Sequence, residues 1–394
     1  MDVDYLVLGH GAAGLFCAAL LASRGARVAV AGAGETATSL STGCIGILGG
    51  REVSSGPIGD LSMHFPYSMD AGEPPEEIFS RLFGFLLPRL EAQGVTVIGD
   101  PGQRRLFLSR LGTAHSSSFV QEFCLPESEG EVALLGLMGY QDLDPDLAVR
   151  VMRERNSPLQ ARAFWMRPEC FGDRTDLNCQ EVARMVEIGL LLEELSEAMA
   201  DLPQESVGIP PIADLGFHHR AMRELREVGG REVFELVTPM GLPGRRLQEA
   251  MKNMCLAEDV RLLLSHSAIA ISMEGEEAGE VLLRTKSREI PVSFSGLVLA
   301  TGDLVGGGID VRGRELIDPL SSFQVISKGD GDLRTAALSG YMTEDLHPVS
   351  KKGTVVRNVV VAGSCMSGFS YPFGVGIGGA LYTSWLAADD LGGW

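Results

Sequence analysis

The first 34 residues alternate apolar runs with glycines in an order that predicts strand, turn, helix and strand. Residues 3–8 form a short, mostly apolar run that is typical of a buried strand. Residues 15–23 are apolar and long enough for a helix, and residues 27–31 predict a second strand. Residues 9–14, Gly-His-Gly-Ala-Ala-Gly, stand between the first strand and the helix. This arrangement within about 30 residues is typical of a dinucleotide-binding unit.

Each glycine of this turn has a physical reason. Gly9 permits the tight turn, Gly11 lets the backbone approach a pyrophosphate, and Gly14 lets the helix pack closely on the strand. The backbone amides at the start of the helix would then face the phosphates. The alternative is a glycine-rich turn without a ligand. Gly9, Gly11, Ala12, Ala13 and Gly14 are therefore the first candidate cofactor-binding residues.

The acid that commonly ends the second strand of such a unit is missing. That Asp or Glu holds the ribose hydroxyls of the nucleotide. Here the second strand continues into residues 32–34, Gly-Ala-Gly, and the first acid is Glu35. The adenosine ribose is therefore held differently, held weakly or absent. This leaves the identity of the nucleotide open, but not the phosphate site.

In the middle of the chain, the spacing of apolar residues alternates between that of helices and that of strands. Apolar periodicity predicts helices over 78–93, 144–155 and 176–200 and strands over 95–98, 133–138, 161–166 and 233–237. Residues 207–212 predict a proline-containing connector, and a further helix begins near residue 245. Strands over 260–264, 268–273, 280–285 and 289–294 predict a small antiparallel meander.

The C-terminal part returns to strands that end in small residues. One predicted strand ends in Thr301 and Gly302, and the last ends in Gly363 and Ser364; these four residues are candidate cofactor-binding residues. A glycine-rich segment then opens a helix that runs to about residue 389. The candidate cofactor-binding residues of that segment are Gly374, Gly376, Ile377 and Gly378. Backbone amides at such a helix start can point at the pyrimidine carbonyls of a flavin. The alternative is a last core strand and helix without a ligand.

The segments together predict an α/β fold. We expect a Rossmann-like two-domain flavoprotein, with a parallel-sheet dinucleotide-binding domain and a second, mixed α/β domain. Residues 1–60 and 255–394 would form the flavin-binding domain from both chain ends. Residues 61–254 would form the second domain, which binds a substrate or a partner.

The loop after the second strand supplies further candidate flavin contacts. In flavoproteins of this plan the segment wraps toward the isoalloxazine, which makes Ser41, Thr42 and Gly43 candidates. The alternative is an ordinary surface loop. Most flavoproteins of this plan also carry Asp after the first glycine of the last strand end. Ser364 stands there instead, and it can hydrogen-bond to a ligand but brings no charge.

Net charge and hydropathy exclude several classes of partner. Of 394 residues, 33 are basic and 52 are acidic, which gives a formal charge of −19. A protein this acidic repels nucleic acid and anionic lipid headgroups. No apolar run approaches the length of about 18 residues that a membrane span needs. Asp2 and Asp4 near the start of the chain are unlike a signal peptide. We predict a cytoplasmic protein, or one held at the inner face of the cell membrane through a partner.

The seven cysteines are odd in number, and no two of them have Cys-x-x-Cys spacing. This argues against a disulfide framework, a zinc site or an iron–sulfur cluster in this chain, and we predict no metal site. Cys44 and Cys365 lie in glycine-rich segments and are the candidates for reactive thiols.

Candidate catalytic residues are few. A Gly/Pro loop precedes the helix that carries Arg245 and Arg246, which is an arrangement suited to binding an anion. Arg246 is the candidate, and the alternative is that both arginines are solvated. Three histidines are weak candidates for a general base: His10, His64 and His115. Residues 218–219, His-His, lie in a polar stretch and are predicted at the surface.

Several segments of the chain match one protein family. They are residues 9–14, 41–43, 64–68, 111–113, 136–138, 239–248, 299–302 and 361–364. These segments resemble the B subunit of anaerobic glycerol-3-phosphate dehydrogenase, a flavoprotein. They are spread over nearly the whole length of the chain. Many flavoproteins share the glycine signatures. More specific is the combination of Leu-Pro-Gly-Arg-Arg-Leu at 242–247, the missing ribose acid and Gly-Ser in place of Gly-Asp.

The resemblance implies a three-part enzyme that oxidises glycerol 3-phosphate to dihydroxyacetone phosphate and passes electrons to the quinone pool. In that family a larger A-type flavoprotein subunit oxidises the substrate, and an iron–sulfur C-type subunit meets the membrane. The B-type subunit carries a flavin, described for the family as FMN. The phosphate loop of this chain favours the dinucleotide FAD, whereas the missing ribose acid favours FMN. We expect FAD ahead of FMN.

The leading hypothesis is a flavin-binding redox subunit of such a complex, passing electrons toward iron–sulfur clusters and the quinone pool. A second hypothesis is a stand-alone flavin oxidoreductase of a small anionic hydroxy compound held by Arg246. It predicts activity from this chain alone. A third is a non-catalytic assembly subunit that has lost its flavin, which predicts a colourless protein.

Overall fold

The helices and strands follow from a computed structural model that describes residues 1–48, 56–126, 130–237, 239–304, 306–313, 315–327, 338–369 and 375–392. The helices are α1 Ala12–Ser23, α2 Pro75–Ala92, α3 Pro145–Glu154, α4 Cys179–Glu187, α5 Leu192–Ala200, α6 Leu215–Gly229, α7 Leu242–Ala257 and α8 Ile377–Gly392. The strands are β1 Tyr5–Leu8, β2 Val28–Gly32, β3 Gly56–Pro57, β4 Val97–Gly99, β5 Gln103–Leu108, β6 Ala114–Ser117, β7 Phe119–Gln121, β8 Val132–Leu137, β9 Ala161–Met166, β10 Ser206–Ile209, β11 Glu232–Glu235, β12 Arg261–Leu264, β13 Ser267–Glu274, β14 Glu277–Arg284, β15 Glu289–Ser293, β16 Gly296–Leu299, β17 Asp310–Arg312, β18 Glu315–Ile317, β19 Val325–Ile326, β20 Gly340–Tyr341, β21 Thr343–Glu344, β22 His347–Pro348 and β23 Val359–Val361.

A five-stranded parallel sheet joins the two ends of the chain. Its strand order is β12-β2-β1-β16-β23, and every pairing in it is parallel. The strands β16 and β23 are completely buried, because helices cover the faces of a parallel sheet. Helix α1 packs against both α7 and α8. The predicted α/β, Rossmann-like fold is confirmed.

A second parallel sheet is built from the middle of the chain. Its order is β11-β10-β8-β9, with α3, the pair α4 and α5, and α6 connecting successive strands. Leu135 and Leu137 of β8 join the apolar cluster formed with α4, α5 and α6. Leu134 points the other way and joins Phe234 and α3. The alternation places helices on both faces of this sheet.

The central strand β10 replaces the predicted connector over 207–212, so that prediction is wrong. All four residues of β10 are buried between β8 and β11. The strand is short and is followed by Pro210 and Pro211, which made the segment look like a connector. Four residues are too few to show a period.

Two other predicted segments also differ from the structure. The meander consists of β13, β14 and β15, whereas β12 joins the five-stranded sheet in parallel beside β2. The predicted helix over 176–200 is two helices, α4 and α5. Gly189 lies between them in the left-handed region at φ +79°, which ends α4.

Among the described ranges, no helix combines the length and the apolar composition that crossing a membrane requires.

Candidate functional site

The glycine turn between β1 and α1 has the close contacts that its spacing predicts. Gly9 adopts φ +111°, and a Cβ there would lie 2.0 Å from the carbonyl oxygen of Ala300 in the neighbouring chain segment. A Cβ on Gly14 would lie 1.9 Å from the carbonyl oxygen of Gly9. Both positions therefore require glycine, and the start of α1 sits directly on the turn.

The start of α1 retains donors for an anion. The Ala12 amide donates to Thr38 Oγ1 at 2.8 Å. Within the part of the chain that the structure describes, the amides of Ala13 and Gly14 have no hydrogen-bond partner. A Cβ on Gly11 would only touch Thr38 Oγ1, at 3.5 Å. Free amides at the positive end of a helix suit a phosphate group.

A second unsatisfied group lies at the end of β16. The hydroxyl Oγ1 of Thr301 is buried and has no hydrogen-bond partner in the described ranges. Gly302 beside it adopts φ +82°, and Gly308 approaches the hydroxyl so closely that a Cβ would lie 2.5 Å from it. A buried hydroxyl without a partner is costly, and a bound polar group would relieve that cost. The residues present thus fit a phosphate-bearing cofactor.

The predicted loop contacts Ser41, Thr42 and Gly43 lie half-buried or buried against α7. Ser41 Oγ donates to the carbonyl of Thr38 at 2.7 Å and accepts from the Gly43 amide at 3.0 Å. Gln121 Nε2 donates to the carbonyl of Gly43 at 3.2 Å. The segment is therefore not an ordinary surface loop, and several of its polar groups are used within the protein.

Gly363 and Ser364, just after β23, lie between the start of α1 and helix α8. The amide of Gly363 donates to Thr383 Oγ1 at 2.9 Å, and a Cβ on Gly363 would lie 2.9 Å from the Cβ of Ala13. The last strand end is therefore next to the start of α1, and Ser364 beside it is half-buried.

The start of α8 packs on the loop after β2. The amide of Gly378 donates to the carbonyl of Gly46 at 2.9 Å. Gly376 approaches the same carbonyl, at 3.7 Å from where its Cβ would be, and Ile377 begins the helix. Gly374 lies outside the described residues.

A polar cleft of about 460 Å³ lies beside the glycine turn, at the carboxyl end of β2. Its lining residues are His10, Gly34, Glu35, Thr36, Ser39, Gln180, Asp214, Leu215, Gly216, Arg245, Arg246, Gln248, Glu249 and Lys252. Ser39 Oγ donates to Glu35 Oε2 at 2.8 Å. Burial, together with the charge of Lys252, lowers the pKa of His10, so its ring is neutral near pH 7.

Arg246 belongs to a buried charge cluster. Its guanidinium pairs with both carboxylate oxygens of Glu235, and Nη1 lies 3.1 Å from Oε1. Nε donates to Gln121 Oε1 at 3.2 Å, and Nη1 donates to the carbonyl of Ala213 at 3.0 Å. Because its charge is neutralised by Glu235, Arg246 is poorly suited to the role of a free anion grip.

His218 completes this cluster, so its predicted surface position is wrong. Its Nε2 lies 3.1 Å from Glu235 Oε2, and both side chains are buried. Burial, and then the charge of Arg246, lower the pKa of His218. Burial alone would raise the pKa of Glu235, but Arg246 and His218 bring it to about 2. The apolar residues Ala221, Met222 and Leu225 on the same face of α6 were the available sequence signal.

The remaining candidate histidines are exposed. His64 follows a short 3₁₀ turn over Leu61–Met63. His115 on β6 lies with Nε2 2.8 Å from Thr113 Oγ1 and stacks on the ring of Phe107. These contacts lie outside the glycine turn and its cleft.

The thiols of Cys44 and Cys365 are buried, and burial raises the pKa of each to about 12. A thiol needs its thiolate form to react, so the prediction of reactivity at these positions is wrong.

A family model described as FAD binding domain matches residues 4–350. A curated relative from Aliivibrio fischeri, the B subunit of anaerobic glycerol-3-phosphate dehydrogenase, is 24% identical over 99% of this chain and 95% of its own length. The relative of the same name from Actinobacillus pleuropneumoniae is 24% identical over 100% of this chain and 100% of its own length. The resemblance to proteins of this name is thereby confirmed.

Solved structures also match. A mutated quinol fumarate reductase FrdA chain from E. coli is 9% identical with a TM-score of 0.45, over 99% of this chain and 70% of that chain.

Proposed function

Since the chain belongs to the FAD binding domain family, we propose that it is the flavin-binding redox subunit of an anaerobic glycerol-3-phosphate dehydrogenase complex. The family assignment confirms FAD as the cofactor, ahead of the alternative FMN, and with it a flavin-dependent oxidoreductase. We propose in addition that the complex oxidises glycerol 3-phosphate and that its electrons pass to iron–sulfur clusters and the quinone pool. Support for them comes from relatives that are named as its B subunit and match nearly full length.

One observation carries the proposal. The free amides of Ala13 and Gly14 lie at the start of α1, and His10 of the adjoining glycine turn lines a cleft of about 460 Å³ that continues past the end of β2. A mononucleotide phosphate at the helix start would leave this cleft without a ligand. A dinucleotide would use both, because its second half extends from the phosphates toward β2.

The position of each predicted cofactor residue suggests which part of FAD it would contact. Gly9, Gly11, Ala12, Ala13 and Gly14 would hold the pyrophosphate. Thr301 would use its unpaired hydroxyl on the side of β16. At the start of α8 the Gly378 amide is already used by the Gly46 carbonyl, so Ile377 would be the residue that lies toward the flavin ring.

The bound flavin would supply the hydride and single-electron chemistry. The chain itself would bind it, orient it and exclude water. His64 and His115 are exposed, and Arg246 is neutralised by Glu235, so these three candidates offer no positioned general base. A subunit that passes electrons needs none. The same pairing of Arg246 removes the anion grip on which the stand-alone oxidoreductase depends.

We propose an A-type flavoprotein subunit and an iron–sulfur C-type subunit as partners, with membrane contact through a partner alone. The chain carries no Cys-x-x-Cys spacing of its own, so clusters would lie in another subunit.

The test is the flavin content of the full chain, purified alone and with its partners. Acid release should yield FAD, and Gly11→Asp should lose it, because a carboxylate would then face the phosphates. The Cβ of this variant has ordinary contacts, so the protein should remain folded. Gly59→Asp is the control, since a Cβ there meets nothing within 4 Å.

Three results would contradict the proposal. A colourless, folded protein in the presence of its partners would favour the assembly role. FMN in place of FAD would reject the dinucleotide. Turnover of a small anionic hydroxy compound by this chain alone would favour the stand-alone enzyme.

A further inference from the structure

A groove of about 310 Å³ lies between α4, α5 and α6 of the second domain. Helix α6 packs against both of the other helices, and the groove follows the line where they meet. It shares no lining residue with the cleft beside the glycine turn. The groove is therefore a separate feature of the surface, to which the proposed cofactor site assigns no role.

Helix α6 supplies one long side of the groove. Phe217, Ala221, Glu224 and Val228 line it at intervals of four, three and four residues, which places them on a single stripe of the helix. At a rise of 1.5 Å per residue, the stripe is about 16 Å long, or three helical turns. A groove that follows another helix for three turns has the shape that an amphipathic helix fills.

Apolar side chains beside the groove are left in solvent. Val228 is 66% exposed, and on the segment between α4 and α5 Ile188 is 55% and Leu190 50% exposed. Gly189, which stands between those two residues, lines the groove itself. Exposed apolar side chains gathered around a groove are typical of a protein interaction site.

The charges that line the groove are mostly acidic. Glu187, Glu193 and Glu224 contribute three carboxylates, against the single guanidinium of Arg220. The pair between Arg220 and Glu224 is 3.9 Å long and exposed, so it neutralises little. Glu193 forms no ion pair within the described ranges. Helix α5 carries three glutamates and no basic residue, so the groove attracts a basic partner.

The same charges disfavour a second copy of this chain as the occupant. A twofold dimer brings the same surface of both copies together, so the glutamates of one groove would face those of the other. Each copy also carries a formal charge of −19, which opposes association. A helix that has lysine or arginine beside its apolar residues meets neither obstacle.

We propose that this groove binds a basic amphipathic helix of a partner subunit. Its apolar residues, at i, i+3 or i+4 and i+7, pack along Phe217, Ala221 and Val228, and its lysines or arginines reach Glu187 and Glu193. The proposal rests on the function proposed above only in taking the helix from a subunit of that complex, because no contact in the groove involves the flavin.

Cross-linking of the complex tests which segment occupies the groove. The full chain is purified with the A-type and C-type subunits, and a carbodiimide joins carboxylates to lysine amines that touch them. Mass spectrometry should find Glu187, Glu193 or Glu224 joined to a lysine of a partner segment with the apolar spacing given above. Cross-links confined to carboxylates outside the groove would overturn the proposal.

A single substitution tests the energetics. Val228→Lys should weaken binding of the partner subunits about tenfold or more, because it removes an apolar contact and sets a positive charge against a basic helix. The new lysine lies four residues after Glu224, a spacing that supports a helix, so the variant should fold. Val311→Lys is the matched control, an exposed valine of β17 outside the groove.

The charge is tested separately. Glu193→Gln should make the affinity for the partner subunits less sensitive to salt, because one carboxylate of the contact is lost. Glu77→Gln is its control, since Glu77 likewise lies in the first turn of a helix, α2, and is exposed outside the groove. Equal salt dependence in Glu193→Gln and wild type would contradict the charged contact.

The flavin content of each sample separates this inference from the proposed function. A chain that holds FAD and binds no partner subunit, or an affinity that Val228→Lys leaves unchanged, would overturn the inference alone. A dimer of the chain by itself that Val228→Lys dissociates would give the groove to a second copy and would also overturn it. A flavin-free chain whose partner subunits are lost in Val228→Lys would reject the proposed redox role and uphold the groove.

Discussion

Two adjacent arginines of α7 have opposite environments, and the difference sets their roles. Arg246 is buried with Glu235 and His218, whereas Arg245 lines the cleft and forms no ion pair with any residue that the structure describes. A sequence shows two consecutive arginines and does not show which of them a carboxylate will neutralise. Glu235 lies eleven positions away on a different element, and only the packing of α6, α7 and β11 brings it to Arg246.

The buried cluster predicts a large effect of removing one partner. Glu235→Gln would leave Arg246 buried without a counter-charge, and we expect the free energy of unfolding to fall by about 3–5 kcal/mol. Chemical denaturation measures this. Glu224→Gln is the control, since its carboxylate is exposed at 3.9 Å from Arg220, and the change should stay within about 0.5 kcal/mol. Replacing both members, as Glu235→Leu with Arg246→Met, should cost less than Glu235→Gln alone. A larger loss in the double variant would contradict this account.

The cluster also predicts a pH dependence of stability. The pKa of Glu235 falls from its usual 4.5 to about 2, so its contribution is present above pH 4.5 and is lost as the pH falls toward 2. The pKa of His218 is lowered from 6.5, so its neutral ring favours folding fully above pH 6.5 and less as the pH drops below that value. Unfolding free energies at pH 7, 5 and 3 measure both effects. The loss between pH 7 and 5 should be smaller in His218→Gln than in wild type, and an equal loss would count against the buried neutral ring.

Thiol labelling tests burial residue by residue. Burial raises the pKa of all four thiols, but Cys44 and Cys365 are buried, whereas Cys170 and Cys179 are half-buried and therefore accessible to a reagent. Iodoacetamide should therefore label Cys170 and Cys179 of the native protein first, and Cys44 and Cys365 only in denaturant. Mass spectrometry after increasing times with iodoacetamide measures the order in which the four cysteines are labelled. Early labelling of Cys365 would contradict the buried position at the last strand end.

At the scale of elements, sequence patterns predicted helix starts and turns, which depend on neighbouring residues. They missed sheet pairings and the cleft, which depend on residues far apart in the sequence. Helix α3 begins where expected, because Asp144 Oδ1 accepts from the Leu147 amide at 2.9 Å. The glycine turn was likewise readable from spacing alone. Strand β12 was assigned to the wrong sheet, because its parallel partner β2 lies some 230 positions earlier. The cleft was missed for the same reason, since Gln248 meets His10 across 238 positions.

The contact between α1 and the glycine turn predicts opposite effects for two helical glycines. In Gly14→Ala the new methyl would lie 1.9 Å from the Gly9 carbonyl, so α1 must move away and stability should fall by about 1–3 kcal/mol. In Gly84→Ala the methyl of exposed α2 meets nothing within 4 Å, and stability should rise by about 0.5–1 kcal/mol. Denaturant midpoints compare the two. A tolerated Gly14→Ala would mean that α1 does not sit on the turn as described.

At the scale of the whole molecule, two parallel sheets share one cleft. We propose residues 1–60 and 255–394 as the flavin-binding domain and 61–254 as the second, a division that follows these sheets. The chain carries a formal charge of −19, whereas three acidic and three basic side chains line the cleft, so the cleft repels an anionic cofactor less than the net charge of the chain suggests.

Hydrogen exchange tests whether the cofactor couples the two sheets. Removal of the flavin should raise exchange together at residues 34–39, after β2, and at residues 210–216, after β10, because both segments border the cleft. Residues 186–196, which do not line the cleft, are the internal control. A rise confined to 34–39 would mean that the cofactor contacts one sheet only.

The central sheet also imposes an order in time. Strand β1 and its glycine turn are among the first residues that the ribosome makes, yet Gly9 packs on Ala300 and β1 pairs with β16. At synthesis rates of about 5–20 residues per second, the nascent turn waits tens of seconds for its neighbour. The middle of the chain can build its own four-stranded sheet meanwhile. Flavin capture is thus a late event in biogenesis, and a ribosome that stalls before residue 296 releases a chain that cannot hold the cofactor.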